Sequence, residues 1–139
     1  MEVLFNAIYT LYSGVSAKAV TLQTSLTGGL HFYTATQNTD YPYAVYFMVS
    51  NVPERTFQER FENSIIQFNI FSSREHSTDA PSEIVGIRDD LVDLYDECAL
   101  TITGYTHLSM LRIFDELLYP WDDEVYQYSI QYRILAEKD

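Results

Sequence analysis

Residues 126–134 read Tyr-Gln-Tyr-Ser-Ile-Gln-Tyr-Arg-Ile, an unbroken alternation of large apolar or aromatic side chains with polar ones. Because successive side chains of a β-strand point to opposite faces, this alternation predicts a strand with one dry and one wet face. Residues 60–72 repeat the pattern, with Ile66, Phe68 and Ile70 on one side and Ile65, Gln67, Asn69 and Phe71 on the other. For residues 60–72 the alternation suggests one dry face and one face that is partly wet or faces a partner.

Three further segments are also predicted strands. Residues 30–35 and 43–52 are rich in aromatic and β-branched side chains, and we expect 43–52 to be covered on both faces. Residues 105–118 read as a long strand, with Leu108, Met110, Arg112 and Phe114 on one side and Leu111 and Ile113 on the other. We interpret residues 53–56 as a connection, residues 100–103 as a short extended piece and residues 120–123 as a hairpin turn.

Apolar side chains at helical spacing predict two helices, and a third segment is ambiguous. Residues 2–13 place Leu4, Phe5, Ile8, Leu11 and Tyr12 on one face, and residues 80–97 place Ile84, Ile87, Leu91, Leu94 and Cys98 on another. Asp79, Pro81 and Glu83 suit a helix start. Thr and Val compete with weak helical periodicity in residues 17–26. We predict one α+β domain over residues 1–139, with a mainly antiparallel sheet of four to five strands and two or three helices on one face.

The charge balance excludes one large class of partner. The chain carries 20 acidic and 8 basic side chains, a formal net charge of -12. Binding to phosphates requires clustered Lys and Arg, whereas the two lysines, Lys18 and Lys138, lie far apart. We therefore expect no specific binding to nucleic acid and none to an anionic membrane surface.

Cysteine content and hydropathy favour a reducing compartment. Cys98 is the single cysteine, so the chain forms no internal disulfide and no cysteine-based metal site. No apolar stretch reaches the roughly 18 residues that a membrane span requires. The first residues lack the features of a secretory signal. A reducing cytosol is therefore the simplest compartment for this chain.

Two acidic motifs invite a catalytic or metal-binding interpretation, which we weigh against a simpler one. Residues 89–93 (Asp-Asp-Leu-Val-Asp) resemble a motif that holds Mg²⁺ and diphosphate, but a solvated helix face explains it better. Residues 122–124 (Asp-Asp-Glu) lack the spacing of a Ca²⁺ loop. The three histidines are isolated in sequence, and no nucleophile motif occurs. We predict no catalytic residue, no metal and no cofactor.

Twelve tyrosines are an unusual number, and seven crowd three strand segments and their ends: Tyr41, Tyr43, Tyr46, Tyr119, Tyr126, Tyr128 and Tyr132. Two interpretations remain open. In the first, a thin sheet points its tyrosine hydroxyls to water. In the second, part of the sheet or its rim contacts another protein, since aromatic side chains are enriched at interfaces.

The order and spacing of several segments resemble the tail completion proteins of long-tailed bacteriophages, also called tail terminator or head-to-tail joining proteins. The resemblance covers roughly residues 3–135 and rests on soft hydrophobic motifs. These are Ala7-Ile8-Tyr9, Pro42-Tyr43-Ala44-Val45-Tyr46-Phe47, Ile66-Gln67-Phe68-Asn69-Ile70-Phe71 and Tyr128-Ser129-Ile130-Gln131-Tyr132-Arg133-Ile134. Residues 15–27 are more polar than in that family.

The resemblance implies a structural, non-enzymatic virion protein. Members form a hexameric ring at the head-proximal end of the tail, which caps the tail tube, stops its polymerisation and joins it to the head connector. The implied partners are further copies of the chain, the tail tube protein and the connector or adaptor. Alternatives are a head-completion adaptor or tail tube protein of the same assembly, an acidic non-viral protein-binding module, and a small Mg²⁺-dependent enzyme that uses the aspartate-rich helix.

From this resemblance we expect ring neighbours to meet through the sheet edge and through two polar segments, residues 53–60 and 73–79. Residues 75–124 hold 13 acids and 2 bases, whereas residues 50–74 hold 3 of each. Arginine suits pairing with an acidic neighbour, which makes Arg55, Arg60 and Arg74 candidate interface residues. Because DNA must slide through such a ring, acids could line its lumen. The candidates are Asp89, Asp90, Asp93, Asp122, Asp123 and Glu124.

Overall fold

A computed structural model describes residues 2–73, 79–118 and 124–139. In chain order its elements are α1 (Glu2–Tyr12), α2 (Ala17–Ser25), β1 (Leu30–Phe32), β2 (Tyr43–Arg55), β3 (Arg60–Ser73), α3 (Ala80–Tyr95), β4 (Tyr105–Leu118) and β5 (Val125–Lys138). The five strands form one sheet in the order β1-β2-β3-β5-β4. β1 is parallel to β2, and the other neighbours are antiparallel. The α+β prediction is confirmed, with five strands and three helices.

The helices cover one face of the sheet, where the apolar half of each alternating strand is buried. Along one row, Tyr46 lies opposite Phe68, and Phe68 lies opposite Ile130. All three are at most 3% exposed. Tyr95 of α3 packs on this row with its ring centroid 4.8 Å from that of Phe68. Its hydroxyl donates to the carbonyl oxygen of Ile8 in α1 at 2.8 Å, so one side chain joins two helices to the sheet.

The ambiguous segment over residues 17–26 is a helix. Ser16 caps it by accepting a hydrogen bond from the amide of Ala19 at 3.2 Å. The hydroxyls of Thr21 and Thr24 donate to carbonyls one turn earlier, both at 2.9 Å. Threonine is therefore accommodated inside the helix, although its β-branched side chain lowers helix propensity.

The β2–β3 hairpin is longer than the sequence predicts. The expected connection over residues 53–56 is wrong, because β2 continues to Arg55, which pairs with Arg60 of β3. Pro53 is tolerated because that part of β2 has no neighbour on its outer side among the described strands. The prediction that β2 is covered on both faces fails beyond Met48, where its side chains become mostly exposed.

β4 has the predicted bounds, but two register shifts change which side chains share a face. The shifts lie between His107 and Ser109 and between Arg112 and Phe114. Each β-bulge adds one residue and reverses the alternation. The prediction that Phe114 shares a side with Met110 is therefore wrong. Met110 is buried beneath the helices, while Phe114 is 43% exposed.

Smaller differences concern the ends of elements. α3 has its proline in the first turn, but the Asp79 side chain makes no capping hydrogen bond. The helix ends at Tyr95, so Cys98 lies beyond it and is half-buried. The extended piece predicted over residues 100–103 is irregular backbone. The turn predicted over residues 120–123 lies outside the described residues.

We expect Tyr95→Phe to lower the free energy of unfolding by about 1 kcal/mol, the typical net contribution of one buried hydrogen bond. The ring contacts with Phe68 survive this change, so the loss reports the hydroxyl alone. Urea denaturation measures it. The control is Tyr9→Phe, whose side chain is 46% exposed, and no measurable change is expected there. Equal stabilities of the two variants would show that the hydroxyl does not hold α1 in place.

Candidate interaction surfaces

The outer edge of β4 is long and unusually apolar. β4 has 14 residues and is the terminal strand of the described sheet, paired on one side with β5. Five of its large apolar side chains are 38–49% exposed: Leu108, Leu111, Ile113, Phe114 and Leu117. Soluble proteins usually protect such edges with charge or proline because an open strand edge invites pairing with another chain. The two β-bulges in β4 give this edge partial protection, but its exposed apolar side chains are typical of an interface.

The opposite edge of the sheet is open over part of its length. β1 pairs with β2 only from Ala44 to Tyr46. Beyond that point β2 has no outer neighbour among the described strands, and Val49 and Val52 are about half exposed. β2 and β4 are antiparallel to one another in the sheet, because each strand of the series β2-β3-β5-β4 reverses direction.

The sheet face away from the helices carries a row of uncharged hydrogen-bonding side chains. Ser129 donates to the Asn69 side-chain oxygen at 2.8 Å, and Gln67 donates to the same oxygen at 2.7 Å. Gln131 donates to Gln67 at 2.9 Å, and Gln127 donates to Ser129 at 3.2 Å. We call these five side chains the amide row. They hydrogen-bond to one another, and four of the five are partly exposed while Ser129 is buried, as expected for the partly wet or partner-facing face of β3.

The tip of the β2–β3 hairpin carries two of the three candidate arginines. Arg55 and Arg60 are exposed and lie directly opposite each other. Phe57, between them in sequence, is fully exposed. Arg74 lies outside the described residues. Sequence reasoning selected the arginines but missed Phe57, although an aromatic residue in a polar stretch that forms a turn is itself a signal.

The candidate lumen acids do not lie on one surface. Asp89 and Asp93 point outward from α3 and are exposed. Asp90 faces α2, where its carboxylate accepts a hydrogen bond from the Ser25 hydroxyl at 2.5 Å. Glu124 is exposed just before β5, and Asp122 and Asp123 lie outside the described residues. The structure therefore separates Asp90 from its two neighbours on the helix.

A charged network joins α3 to β4 and β5, and sequence analysis did not find it. Asp115 accepts hydrogen bonds from Arg88 at 3.1 Å, from Arg112 at 3.0 Å and from the Tyr128 hydroxyl at 2.7 Å. The hydrogen bond from Tyr128 is the main cause that lowers the pKa of Asp115, and the two arginines add to it. Asp96 accepts a hydrogen bond from the Tyr132 hydroxyl at 2.7 Å. The Asp96 carboxylate is therefore not part of the solvated face of α3.

The described strand tyrosines follow neither interpretation as a group, and Tyr119 lies outside the described residues. Besides Tyr128 and Tyr132, Tyr46 uses its hydroxyl inside the protein, donating to the Phe5 carbonyl at 3.2 Å. Burial raises the pKa of Tyr46 to about 12. These three residues join helices or β4 to the sheet rather than facing water or a partner. Tyr43 differs, since its ring stacks on Phe71 at 5.1 Å on the face away from the helices.

The described residues hold no group of three or more His, Cys, Asp or Glu side chains arranged to bind a metal ion. Burial raises the pKa of the Cys98 thiol to about 11, so little thiolate exists at neutral pH. No described helix is long and apolar enough to cross a bilayer.

Comparison of the sequence with protein-family models and with curated proteins gives no match. The fold is similar to a chain in the virion of a native gene transfer agent particle, with a TM-score of 0.70, 8% sequence identity, and coverage of 95% of this chain and 92% of that chain. At this identity the similarity establishes the fold alone. The bacteriophage SPP1 gp17 protein aligns with a TM-score of 0.46 and 16% identity over 95% of this chain and 86% of that one. That TM-score is too low to carry an argument.

We expect Asp115→Asn to lower the free energy of unfolding by about 1–2 kcal/mol at pH 7, because two arginines and a tyrosine lose a charged acceptor. The pKa of Asp115 is lowered in the folded state, so its stabilising effect is full above the unfolded value of about 3.9. The effect is lost as the pH falls through the lowered value. The difference in the free energy of unfolding between wild type and variant therefore becomes smaller at acidic pH.

Urea denaturation at pH 7 and at a series of values below pH 5 measures this gap. The control is Asp89→Asn, because Asp89 pairs with Arg88 at 2.8 Å but is 61% exposed, and exposed pairs contribute little. A gap that stays constant from pH 7 into the acid range would contradict the assignment.

Proposed function

We propose that the chain is a structural protein of a phage-like virion, located at the head-proximal end of the tail. Its copies form a hexameric ring that caps the tail tube, stops tube growth and joins the tube to the head connector. The role is not enzymatic, and assembly takes place in the host cytoplasm. The proposal draws on the sequence resemblance and on the fold shared with a chain of the gene transfer agent virion.

The observation that carries the proposal is the pair of open sheet edges. β4 exposes a long apolar edge on one side, and β2 has an open edge from Phe47 to Arg55 on the other. Rotation about an axis parallel to the strands brings β4 of one copy beside β2 of the next in antiparallel orientation. Two different edges that match in this way form a head-to-tail contact, and such contacts close into rings when the rotation closes.

Charge supports the same arrangement. Arg55 and Arg60 at the tip of the hairpin, and Arg74, which follows the other end of β3 in sequence, suit an acidic neighbour, and the protein has a net charge of -12. In the lumen, acids would repel phosphate and let DNA slide. Asp89 and Asp93, which share the outer face of α3, are the candidates, together with Asp122, Asp123 and Glu124. A reconstruction of the ring that places both acidic groups on the outer wall would overturn this part.

The capping role is tested by negative-stain microscopy of tail tubes mixed with the purified protein. We expect capped tubes of fixed length. Leu111→Lys should prevent capping, because a lysine on an exposed strand edge opposes pairing. The control is Val20→Lys on α2, a similarly exposed site (47%), which should cap normally. An unaltered tube population with the wild-type protein would contradict the proposal.

The rival functions give different results in simple assays. A tail tube protein should polymerise alone into long tubes, whereas a terminator should stop at a short ring. An acidic protein-binding module of a cell should stay monomeric and ignore tail tubes. A Mg²⁺-dependent enzyme should show a thermal shift with Mg²⁺ that Asp90→Ala or Asp93→Ala abolishes. The hydrogen bond from Ser25 to Asp90 counts against that last function.

Reversing Arg55, Arg60 and Arg74 to Glu together should weaken ring formation about tenfold or more, because acids would then face an acidic neighbour. Light scattering over a concentration series measures the change. The control reverses Lys18 and Arg133, which are also exposed, and should assemble like wild type. Unchanged assembly of the triple variant would contradict the role of these arginines.

A further inference from the structure

We propose that the tip of the β2–β3 hairpin, residues 55–60, is the element with which one copy holds the next. Phe57 enters a small apolar pocket near the end of α1 in the neighbour, and the two arginines bind a carboxylate beside it. This inference deepens the proposed ring by naming a docking element, and it rests on the proposed self-assembly. The tip, the pocket and their relative positions each support it.

The tip presents an aromatic side chain on an ordered turn. The Thr56 amide donates to the Glu59 carbonyl at 3.0 Å, and the Glu59 amide donates to the Thr56 hydroxyl at 3.1 Å. Phe57 sits on this turn with its side chain fully exposed. Turns usually carry Gly, Asn, Asp, Ser or Pro. An aromatic residue exposed on a turn is instead typical of interfaces, where Phe, Tyr and Trp are enriched.

The two arginines beside Phe57 lie opposite each other at the tip, which carries one acid, Glu59. Arg55 and Arg60 are register partners, and like charges directly opposite in a sheet are destabilising. Neither makes an ion pair within the described part of the chain. A carboxylate placed between the two guanidinium groups would relieve the repulsion and accept several hydrogen bonds. The tip therefore fits an apolar pocket with an acid at its rim.

A second copy offers such a pocket. A cavity of about 210 Å³ lies where α1 ends, and its lining includes Leu11, Val15, Ala99 and Leu100. Val15 is 96% exposed at its rim and offers an apolar contact there. Glu97 lies two residues before Ala99 and is exposed. The pocket thus combines an apolar lining with a nearby carboxylate.

The tip and the pocket lie at the same end of the sheet. Phe61, next to the tip, is opposite Glu137 of β5, and Glu137 is opposite Thr106 at the start of β4. The pocket segment, residues 99–101, leads directly into β4. When β4 of one copy lies beside β2 of the next, the tip of the second copy therefore lies near this segment of the first. Arg60 shares the helix side of the sheet with buried Ser64, so the arginines face the layer that holds the pocket.

A disulfide between two copies tests the contact. One copy carries Phe57→Cys and the other Val15→Cys, both in a Cys98→Ser background, with tags of different size. We expect the mixed dimer to form at least tenfold faster than in the control pair, in which Val85→Cys replaces Val15→Cys. Val85 is also an exposed valine (40%), but it lies on α3 outside the pocket. Equal rates with Val15→Cys and Val85→Cys would overturn the proposal.

Phe57→Ala provides a second measurement, since a fully exposed side chain can be truncated without loss of core packing. We expect assembly measured by light scattering to weaken at least tenfold, with an unchanged unfolding midpoint. Val20→Ala, at an exposed site (47%) on α2 away from both sheet edges, should change assembly less than twofold. If Phe57→Ala forms normal rings but no longer caps tubes, the tip binds the tube protein and this inference is wrong.

The two measurements also separate this inference from the ring itself. If the wild-type protein forms rings but the Phe57→Cys and Val15→Cys pair forms its disulfide no faster than the control pair, the docking element is overturned. The proposed ring then remains in place. A wild-type protein that stays monomeric at all concentrations and on tube ends would overturn both.

Discussion

The hydroxyl and ring of Tyr95 fix the position of three parts of the molecule. The ring packs on Phe68 at the centre of the sheet, and the hydroxyl donates to a carbonyl of α1. A buried phenol must find a hydrogen-bond partner, so α1 cannot shift along the sheet without leaving that hydroxyl unpaired. Tyr46, which donates to the Phe5 carbonyl, imposes the same condition on the first turns of α1. The helical layer is thus held by directional bonds as well as by apolar contact.

Periodicity predicted most of this architecture from the sequence. The strands with strict alternation, β3 and β5, and the helix with the Ile84–Leu94 stripe have nearly the bounds that their patterns indicate. Periodicity predicted the structure wrongly where the pairing between strands, and not the local sequence, determines which residues are paired and which face they share. The two bulges in β4 move Phe114 to the other face, and nothing in residues 105–118 marks where an extra residue is inserted. The length of β2 was likewise underestimated, because its far half is held only by β3.

The surfaces were harder to predict than the fold. Composition indicated an acidic protein with candidate arginines, and the structure brings Arg55 and Arg60 together across the hairpin. The Asp115 network joins residues that are distant in sequence, so no local motif announces it. The high number of tyrosines left an interface role open, but the hydroxyls of Tyr46, Tyr128 and Tyr132 donate hydrogen bonds inside the protein. Exposure of apolar side chains on β4 became visible only once the strand was known to lie at an edge.

The amide row gives one face of the sheet a different physical character from the rest of the surface. Its side chains carry no charge and hydrogen-bond to one another. Dissolved ions screen exposed charges over about 8–10 Å at physiological ionic strength, but they leave amide-to-amide bonds largely unaffected. The row should therefore keep its shape from low to high ionic strength, in contrast to the charged side chains of Glu116 and Arg133, which flank it on the same face.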